Sequence, residues 1–293
     1  VRDLPEMLGP GDVLVVNETR VVPARLRLHK PTGGRVEVLL LERTHDSSWE
    51  ALVRPGRRVP PGTRLMAAGR ELVEVGERLD GGVREVRLLG DDVVDGPGVQ
   101  GRAEVALPPY VTRPLPDPER YQTVYAARPG SVAAPTAGLH LTHEVLDRCR
   151  SRGVEVYAVD LAVGLGTFRP VTAERAQDHV MHAERYRVPK ATMEACRRAA
   201  RVVAVGTTTV RALESAAATG ELSGRTELFI HGDYSFALTD VLLTNFHQPR
   251  SSLLLLLDAF CGRRWAELYR LALEDGYRFL SFGDAMLVSR SRR

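Results

Sequence analysis

Residues 201–211 read RVVAV-GTTTVR. Five residues dominated by valine form a buried strand, a single glycine turns the chain, and three threonines and an arginine open a helix. Val210, Leu213 and Ala217 share one face of that helix, and Gly220 stops it. The same strand–loop–helix texture spreads outward from here. Upstream, Thr142 caps a helix carrying Val145, Leu146 and Cys149 on one face, Gly153 ends it, and the strand VEVYAVDLAV (154–163) follows. A helix over 190–200 leads into RVVAV. Downstream, TELFI (226–230) and DVLLTNF (240–246) supply strands, and LLLLLDAF (253–260) and WAELYRLALEDG (265–276) supply helices. Alternating strands and helices imply an α/β layer.

A second texture runs from Asp12 to about Leu107. Short alternating or β-branched runs (DVLVV, ARLRLHK, RVEVLLLE, WEALV, TRLMA, RELVEVGE, VREVRLL, AEVAL) are separated by PTGG, RPGRRVPPG, DGG and DGPG. Many short strands at hairpin spacing, without helical period, predict an antiparallel barrel or sandwich. Leu4–Leu8 reads as helical and belongs with the first texture. The expected fold is therefore an α/β domain, 1–20 and 108–293, with an inserted antiparallel β-barrel domain, 21–107.

The 293 residues carry a net charge of +3, too small to announce a nucleic-acid binder. Lys30 and Lys190 are the only lysines among 40 basic residues, a skew that reads as coding bias. Three scattered cysteines, Cys149, Cys196 and Cys261, argue against a disulfide framework or zinc ribbon and fit a reducing cytoplasm. No apolar run approaches the ~20 residues of a membrane helix, and the start, VRDLPEMLGPGD, has no signal-peptide pattern. The expected location is cytoplasmic, with no membrane partner.

Ligands of α/β folds bind at the carboxyl ends of the strands, which selects four loops. In GTTTVR, Gly206 lets the chain pass close to a ligand. Thr207, Thr208 and Thr209 sit at a helix N-terminus suited to a carboxylate or phosphate, with Arg211 one turn in and Glu214 as its i+3 partner. The plainer reading is a threonine cap and a surface ion pair. In VGLGTF (163–168), Gly164 and Gly166 lack the third glycine and helix start of a dinucleotide fingerprint; the loop suits close backbone approach, with Thr167 beside it and Phe168 able to stack on a ring. PTAGLH (135–140) offers Thr136, Gly138 and His140, a general acid or base near neutral pH or merely a packed histidine. TNFHQPR (244–250) combines Asn245, Phe246 and His247 for a base with Arg250 for an anion. The only asparagines, Asn17 in VVNETR and Asn245, both end apolar runs beside an arginine, Arg20 in the first case. Each is a turn former or a functional amide. DHVMHAE (178–184) places His179 and His182 three apart, without enough ligands for a metal.

These motifs together resemble the S-adenosylmethionine:tRNA ribosyltransferase-isomerase family of queuosine biosynthesis. The resemblance is carried by GDVLVVNETRVVPARL, LPPYVTRP, YQTVYAARPGSVAAPTAGLHLT, VGLGTFRPV, HVMHAERYRVP, VVAVGTTTVRALES, LLTNFHQPRSSLLLLLDAF and YRFLSFGDAML, in family order along nearly the whole chain. It implies transfer of the ribosyl part of S-adenosylmethionine to 7-aminomethyl-7-deazaguanine at the tRNA wobble position. It also implies an inserted barrel, a monomer, no metal, and no cofactor beyond S-adenosylmethionine as co-substrate. On that reading His140 or His182 removes the proton beside the sulfonium, and Asp284, kept protonated by burial, meets the departing adenine. Asn17 and Arg20 join the site. The pattern is entered late at Val1, so a stretch of the α/β domain and its contacts is expected to be absent. A different class, a non-catalytic RNA-binding barrel, would need aromatic residues on the barrel strands, which hold only Trp49.

Overall fold

The computed structural model describes residues 1–45, 47–89, 103–111, 113, 115–164 and 181–291. They form two compact units, Val1–Arg20 with Leu115–Arg293, and Val21–Pro114.

The first unit begins with the short helix α1 (Leu4–Met7) and the strand β1 (Asp12–Asn17). All six residues of β1 are buried, as expected of a strand covered on both faces. The short strands β2 (Thr19–Val21) and β10 (Arg128–Ser131) lie outside both large sheets. Between them comes the second unit: β3 (Arg25–His29), β4 (Arg35–His45), β5 (Ser48–Arg54), β6 (Arg64–Ala67), β7 (Arg70–Arg78), β8 (Arg84–Leu88) and β9 (Ala103–Glu104). These pair in the order β4-β5-β8-β7-β6-β3, and a further β3–β4 pairing closes six antiparallel strands into a barrel. β9 adds to β3. Alternation fills the interior: Leu26 and Leu28 of β3 and Val86 and Leu88 of β8 point inward. Arg84 is the buried exception, and its guanidinium is satisfied by the carbonyls of Gly76, at 2.7 Å, and Val59, at 2.9 Å.

The chain then supplies α2 (His143–Ser151), β11 (Glu155–Leu161), β12 (Glu184–Arg187), α3 (Lys190–Arg198), β13 (Arg201–Val205), α4 (Thr207–Thr219), β14 (Ser223–Thr226), β15 (Val241–Asn245), α5 (Ser252–Cys261), α6 (Arg264–Glu274) and β16 (Ala285–Ser289). Seven strands form one sheet in the order β14-β12-β11-β1-β13-β15-β16. Its centre, β11-β1-β13-β15, is parallel; β12, β14 and β16 add antiparallel edges.

Alternation along the central strands divides the core. Leu14, Val16, Val203, Val205 and Leu243 pack under α1 and α2 through Leu4, Val145, Leu146 and Cys149. Val13, Val15, Val159, Leu161 and Val202 pack under α3 and α4 through Met193, Cys196, Leu213 and Ala216. Ala204 and Leu242 lie on the α4 side and meet α5 and α6 through Leu257, Phe260 and Tyr269. Each fully buried valine or leucine contributes about 1.5–3 kcal/mol. The Thr142 hydroxyl accepts from Val145 N at 3.2 Å and starts α2. Cys149, Cys196 and Cys261 are free and buried.

The α/β layer and the closed antiparallel barrel are as the two textures imply, with local differences. DVLVV joins the parallel sheet and not the barrel. Of TELFI only Thr226 lies in a strand; Leu228 and Ile230 instead pack as irregular chain into the α5–α6 core. The strand β16, which begins at the end of YRFLSFGDAML and runs on to Ser289, was not anticipated, and DGPG (95–98) lies outside the described residues.

Candidate active site

β1, β11, β13 and β15 are parallel, so Asn17, Leu161, Val205 and Asn245 arrive at one edge of the sheet. Two polar clusters form there, on opposite faces.

On the α4 face, Gly206 takes φ +85° and carries β13 straight into the helix. A Cβ there would be strained by that backbone. The Thr209 hydroxyl donates back to Val205 O at 2.6 Å. The Thr208 hydroxyl accepts from Asn17 Nδ2 at 3.2 Å. Asn17 is fully buried. Its amide also donates to Leu161 O at 3.0 Å, while its Oδ1 accepts from Leu161 N at 3.1 Å and Thr19 N at 3.2 Å. That saturates an asparagine side chain, so Asn17 is a clip between β1, β11 and α4 and has no capacity left for a ligand.

The expected Arg211–Glu214 partnership is not formed. Glu214 accepts from the backbone N–H groups of Ala237, Leu238 and Thr239 at 2.7, 3.1 and 3.0 Å, and from the Thr239 hydroxyl at 3.0 Å. Its charge is satisfied by a loop. Arg211 pairs with Glu184, both side chains buried, and donates to Leu228 O at 3.0 Å. Glu184 Oε1 in turn accepts from Gly164 N at 2.8 Å. The guanidinium thus ties loops together and is not presented to a ligand anion. Thr207 keeps its hydroxyl, and a narrow slot of about 20 Å³ lies beside it, lined by Met181, Thr208, Phe229 and Leu253 among others.

On the α2 face, residues Thr136–His140 form a 3-10 turn. Thr136 Oγ1 donates to Asn245 Oδ1 at 3.1 Å. Asn245 Nδ2 faces Leu280 O at 3.3 Å, Asp284 O at 3.5 Å and His140 Nε2 at 2.9 Å. The carbonyls fix the amide orientation, so Nε2 of His140 accepts and Nδ1 carries the proton. Burial, and then the N-terminal charge, lower the His140 pKa, opposed by nearby Asp284. Gly138 answers a packing need: a Cβ there would lie 1.9 Å from Tyr125 Oη.

Three further expectations are corrected. Phe246 is buried among Tyr269, Tyr277 and Phe279, with ring centroids 4.8–5.9 Å away, and cannot lie against a base. The Asp284 side chain is 39% exposed, accepts from Arg278 N at 2.7 Å and has the Arg278 guanidinium at 3.9 Å. It is not the buried carboxyl that the sequence reading called for. His247 is hydrogen-bonded to Thr244 Oγ1 at 2.9 Å, and burial pushes its pKa down to about 4; it is a neutral structural ring. Arg250 is exposed in a left-handed turn at φ +58°. Arg20 is paired on the surface with Glu119 at 2.7 Å.

The family profile described as queuosine biosynthesis protein matches residues 1–288. The chain belongs to the queuosine biosynthesis protein family. It is 53% identical to the S-adenosylmethionine:tRNA ribosyltransferase-isomerase of Thermus thermophilus, covering 98% of this chain and 87% of the relative. The protein of the same name from Moorella thermoacetica is 51% identical over 98% of this chain and 87% of its own length. A crystal structure of the S-adenosylmethionine tRNA ribosyltransferase from Thermotoga maritima matches with a TM-score of 0.50 and 36% identity, covering 98% of this chain and 85% of that one.

Within this family member, His182 is exposed and precedes β12. Gly166, Thr167, Phe168 and His179 lie outside the described residues. Among the described residues no group of three or more His, Cys, Asp or Glu side chains gathers as a metal site, and no helix is long and apolar enough to cross a membrane. A cavity of about 1040 Å³ opens at the opposite end of the sheet. Two of its arginines are paired, Arg201 with Asp12 at 2.6 Å and Arg290 with Asp240 at 3.1 Å. Sequence reasoning missed Glu184 as the anchor of Arg211. The signal was available: Glu184, Tyr186 and Val188 alternate as one buried row, and an acid in such a row needs a buried partner.

Proposed function

We propose that this protein is an S-adenosylmethionine:tRNA ribosyltransferase-isomerase. It transfers and isomerises the ribosyl moiety of S-adenosylmethionine onto 7-aminomethyl-7-deazaguanine at the tRNA wobble position. Epoxyqueuosine-tRNA forms, and adenine and methionine leave. What carries this reading is likeness to enzymes of that name across nearly the whole chain, through every strand end that builds the site.

The geometry supports particular roles. The sulfonium acidifies the adjacent ribose carbon, so a base positioned there starts the reaction. His140 and His182 are the two candidates for that base. With Nε2 accepting from Asn245, the remaining ring group of His140 is Nδ1–H, a donor suited to a ring nitrogen of the departing adenine. His182 is then the candidate base. Thr207 and the free N–H groups at the start of α4 suit the methionine carboxylate. Asn17, Thr208, Arg211, Glu214 and Gly138 act by positioning. The barrel is assigned as a domain inserted into the catalytic one. The enzyme acts as a cytoplasmic monomer and needs no cofactor beyond its co-substrate.

The test is incubation of S-adenosylmethionine with tRNA carrying the deazaguanine precursor, following adenine by chromatography. The wild-type protein should release one adenine per modified tRNA. His140→Ala should lower the rate about a hundredfold or more, the usual scale for a proton-transferring side chain. Adenine release unchanged by both His140→Ala and His182→Ala would remove the acid–base assignments.

A further inference from the structure

A second cleft opens beside the strand ends. It has a volume of about 460 Å³ and is lined by Glu18, Ala127, Arg128, Pro129, Asp160 and Arg185. Asp160 is the last residue but one of β11, and its neighbour Leu161 is held on both backbone groups by Asn17. Asn17 also holds Thr208 at the start of α4. Cleft and helix start are therefore joined by one asparagine clip. Alternation along β11 turns Asp160 away from the Val159–Leu161 face and onto the side of the sheet that carries His140 and Asn245.

The carboxylate is unusual for its place. Asp160 is 8% exposed, and its Oδ1 is buried without a hydrogen-bond partner of good geometry. The neighbouring Thr19 hydroxyl helps lower the carboxyl pKa, yet its own oxygen likewise completes no well-formed bond. Burial pushes the Asp160 pKa up, while Arg185 and then Arg128 oppose that shift. Neither arginine forms an ion pair with it: Arg128 is held by Glu18 at 2.7 Å, and Arg185 has no carboxylate within salt-bridge reach among the described residues. Leaving a buried polar oxygen unmet is destabilising, a cost that a ligand offering donors would remove.

The rim is basic. Arg185 of β12 stands directly across from Arg225 of β14, and Arg187 directly across from Asp160. Arg185, Arg187 and Arg225 are exposed. Like charges on opposed strand positions destabilise a sheet, and a phosphate backbone relieves that repulsion.

We propose that this cleft holds the deazaguanine base of the substrate tRNA: Asp160 receives hydrogen bonds from the ring N–H and exocyclic amine of the base, and Arg185, with Arg128, holds the adjoining phosphate. The proposal deepens the tRNA reading above and rests on it. A guanine-type edge presents two neighbouring donors, which match the two oxygens of one carboxylate. Adenine, cytosine and uracil each place an acceptor where one of those donors is needed. An extruded base read on its Watson–Crick edge is the usual way that enzymes address a nucleobase. Asp160 is thus a specificity-determining contact, and His140 on the same face is left to the sulfonium nucleoside.

The experiment measures two quantities on wild type, Asp160→Asn and Arg185→Gln. One is adenine release as tRNA and S-adenosylmethionine are varied in turn. The other is direct binding of fluorescently labelled tRNA by anisotropy, with the deazaguanine precursor or adenine at the wobble position. Asp160→Asn should raise the KM for tRNA tenfold or more, leave the KM for S-adenosylmethionine within twofold, and remove most of the preference between the two bases. Arg185→Gln should weaken tRNA binding threefold or more, equally for both bases, with a shallower salt dependence. An Asp160→Asn protein with wild-type tRNA KM and base preference overturns the proposal. If Asp160→Asn does not fold, the Arg185→Gln arm decides, and unchanged tRNA affinity overturns it. Wild-type protein that binds tRNA without releasing adenine would overturn the proposed reaction, while the binding arm still judges the cleft.

Discussion

Asn17 and Asn245 end neighbouring parts of the same parallel sheet, yet they do opposite things. Asn17 points to the α4 face and uses both amide hydrogens and both oxygen lone pairs on Leu161, Thr19 and Thr208. Asn245 points to the α2 face and fixes the tautomer of His140, leaving Nδ1 without a protein partner among the described residues. One cluster is closed upon itself and the other ends in an unused donor. The difference teaches that a polar side chain at a strand end becomes chemistry only when its hydrogen bonds are incomplete. The α4 face should therefore carry stability, and the α2 face turnover.

The strongest way to break this contrast is Arg211→Met. It takes the arginine away from a buried Glu184 carboxylate that also accepts from Gly164 N. Removing one partner of a buried ion pair costs about 3–5 kcal/mol. Urea unfolding followed by the fluorescence of Trp265, which lies in the α/β unit, should show a loss of that size. A loss under 1 kcal/mol would mean that the pair is solvated and that Arg211 is free for an anion after all.

The fold was largely legible because its signals are local. Alternation in RLRLH and VREVRLL marks the barrel interior, and RVVAV followed by Gly206 and threonines marks a strand running into a capped helix. The strand-end rule also found Asn245, and the scarcity of asparagine pointed to Asn17 as well. What it could not supply was saturation, which depends on partners far along the chain. Asn17 and Leu161 lie 144 residues apart. Glu214 sits one turn from Arg211, yet the amides of 237–239 claim it first. Phe246 was misread for a local reason. DVLLTNF reads as strand, yet its last three residues were also counted in the ligand loop TNFHQPR, and the strand runs to Asn245. Period two then sends Asn245 to the α2 face and Phe246 to the aromatic core.

Comparing Asn17→Ala with Asn245→Ala sharpens the contrast at a smaller scale. Asn17→Ala leaves the N–H and C=O of Leu161 without their side-chain partner, at about 1–3 kcal/mol per unsatisfied buried group. A net stability loss of about 2–3 kcal/mol is expected, with adenine release by the protein that remains folded reduced less than tenfold, since Asn17 acts only by holding Thr208. Asn245→Ala should cost about 1 kcal/mol, since its partners reach a less buried region, but should reduce adenine release more than tenfold by freeing the His140 ring to change tautomer. Equal effects of the two variants on both readouts would erase the distinction between the faces.

The smallest expected effect concerns His247, which shares the end of β15 with Asn245 but points into packed chain. Its folded pKa of about 4 lies below the ordinary value of 6.5. Between those values the unfolded chain binds the proton and the folded one does not. Stability is thus fully present above pH 6.5 and declines as pH falls toward 4. From pH 6.5 to 5.5 this histidine alone should remove about 1 kcal/mol, given ~1.4 kcal/mol per unit of pKa difference. His140, also lowered by burial, acts in the same direction. His247→Gln cannot take up the proton, so unfolding midpoints of this variant should vary less with pH over that interval than those of wild type. An unchanged slope would mean that water reaches the ring, and that Thr244 and His247 belong with the open cluster and not with the closed one.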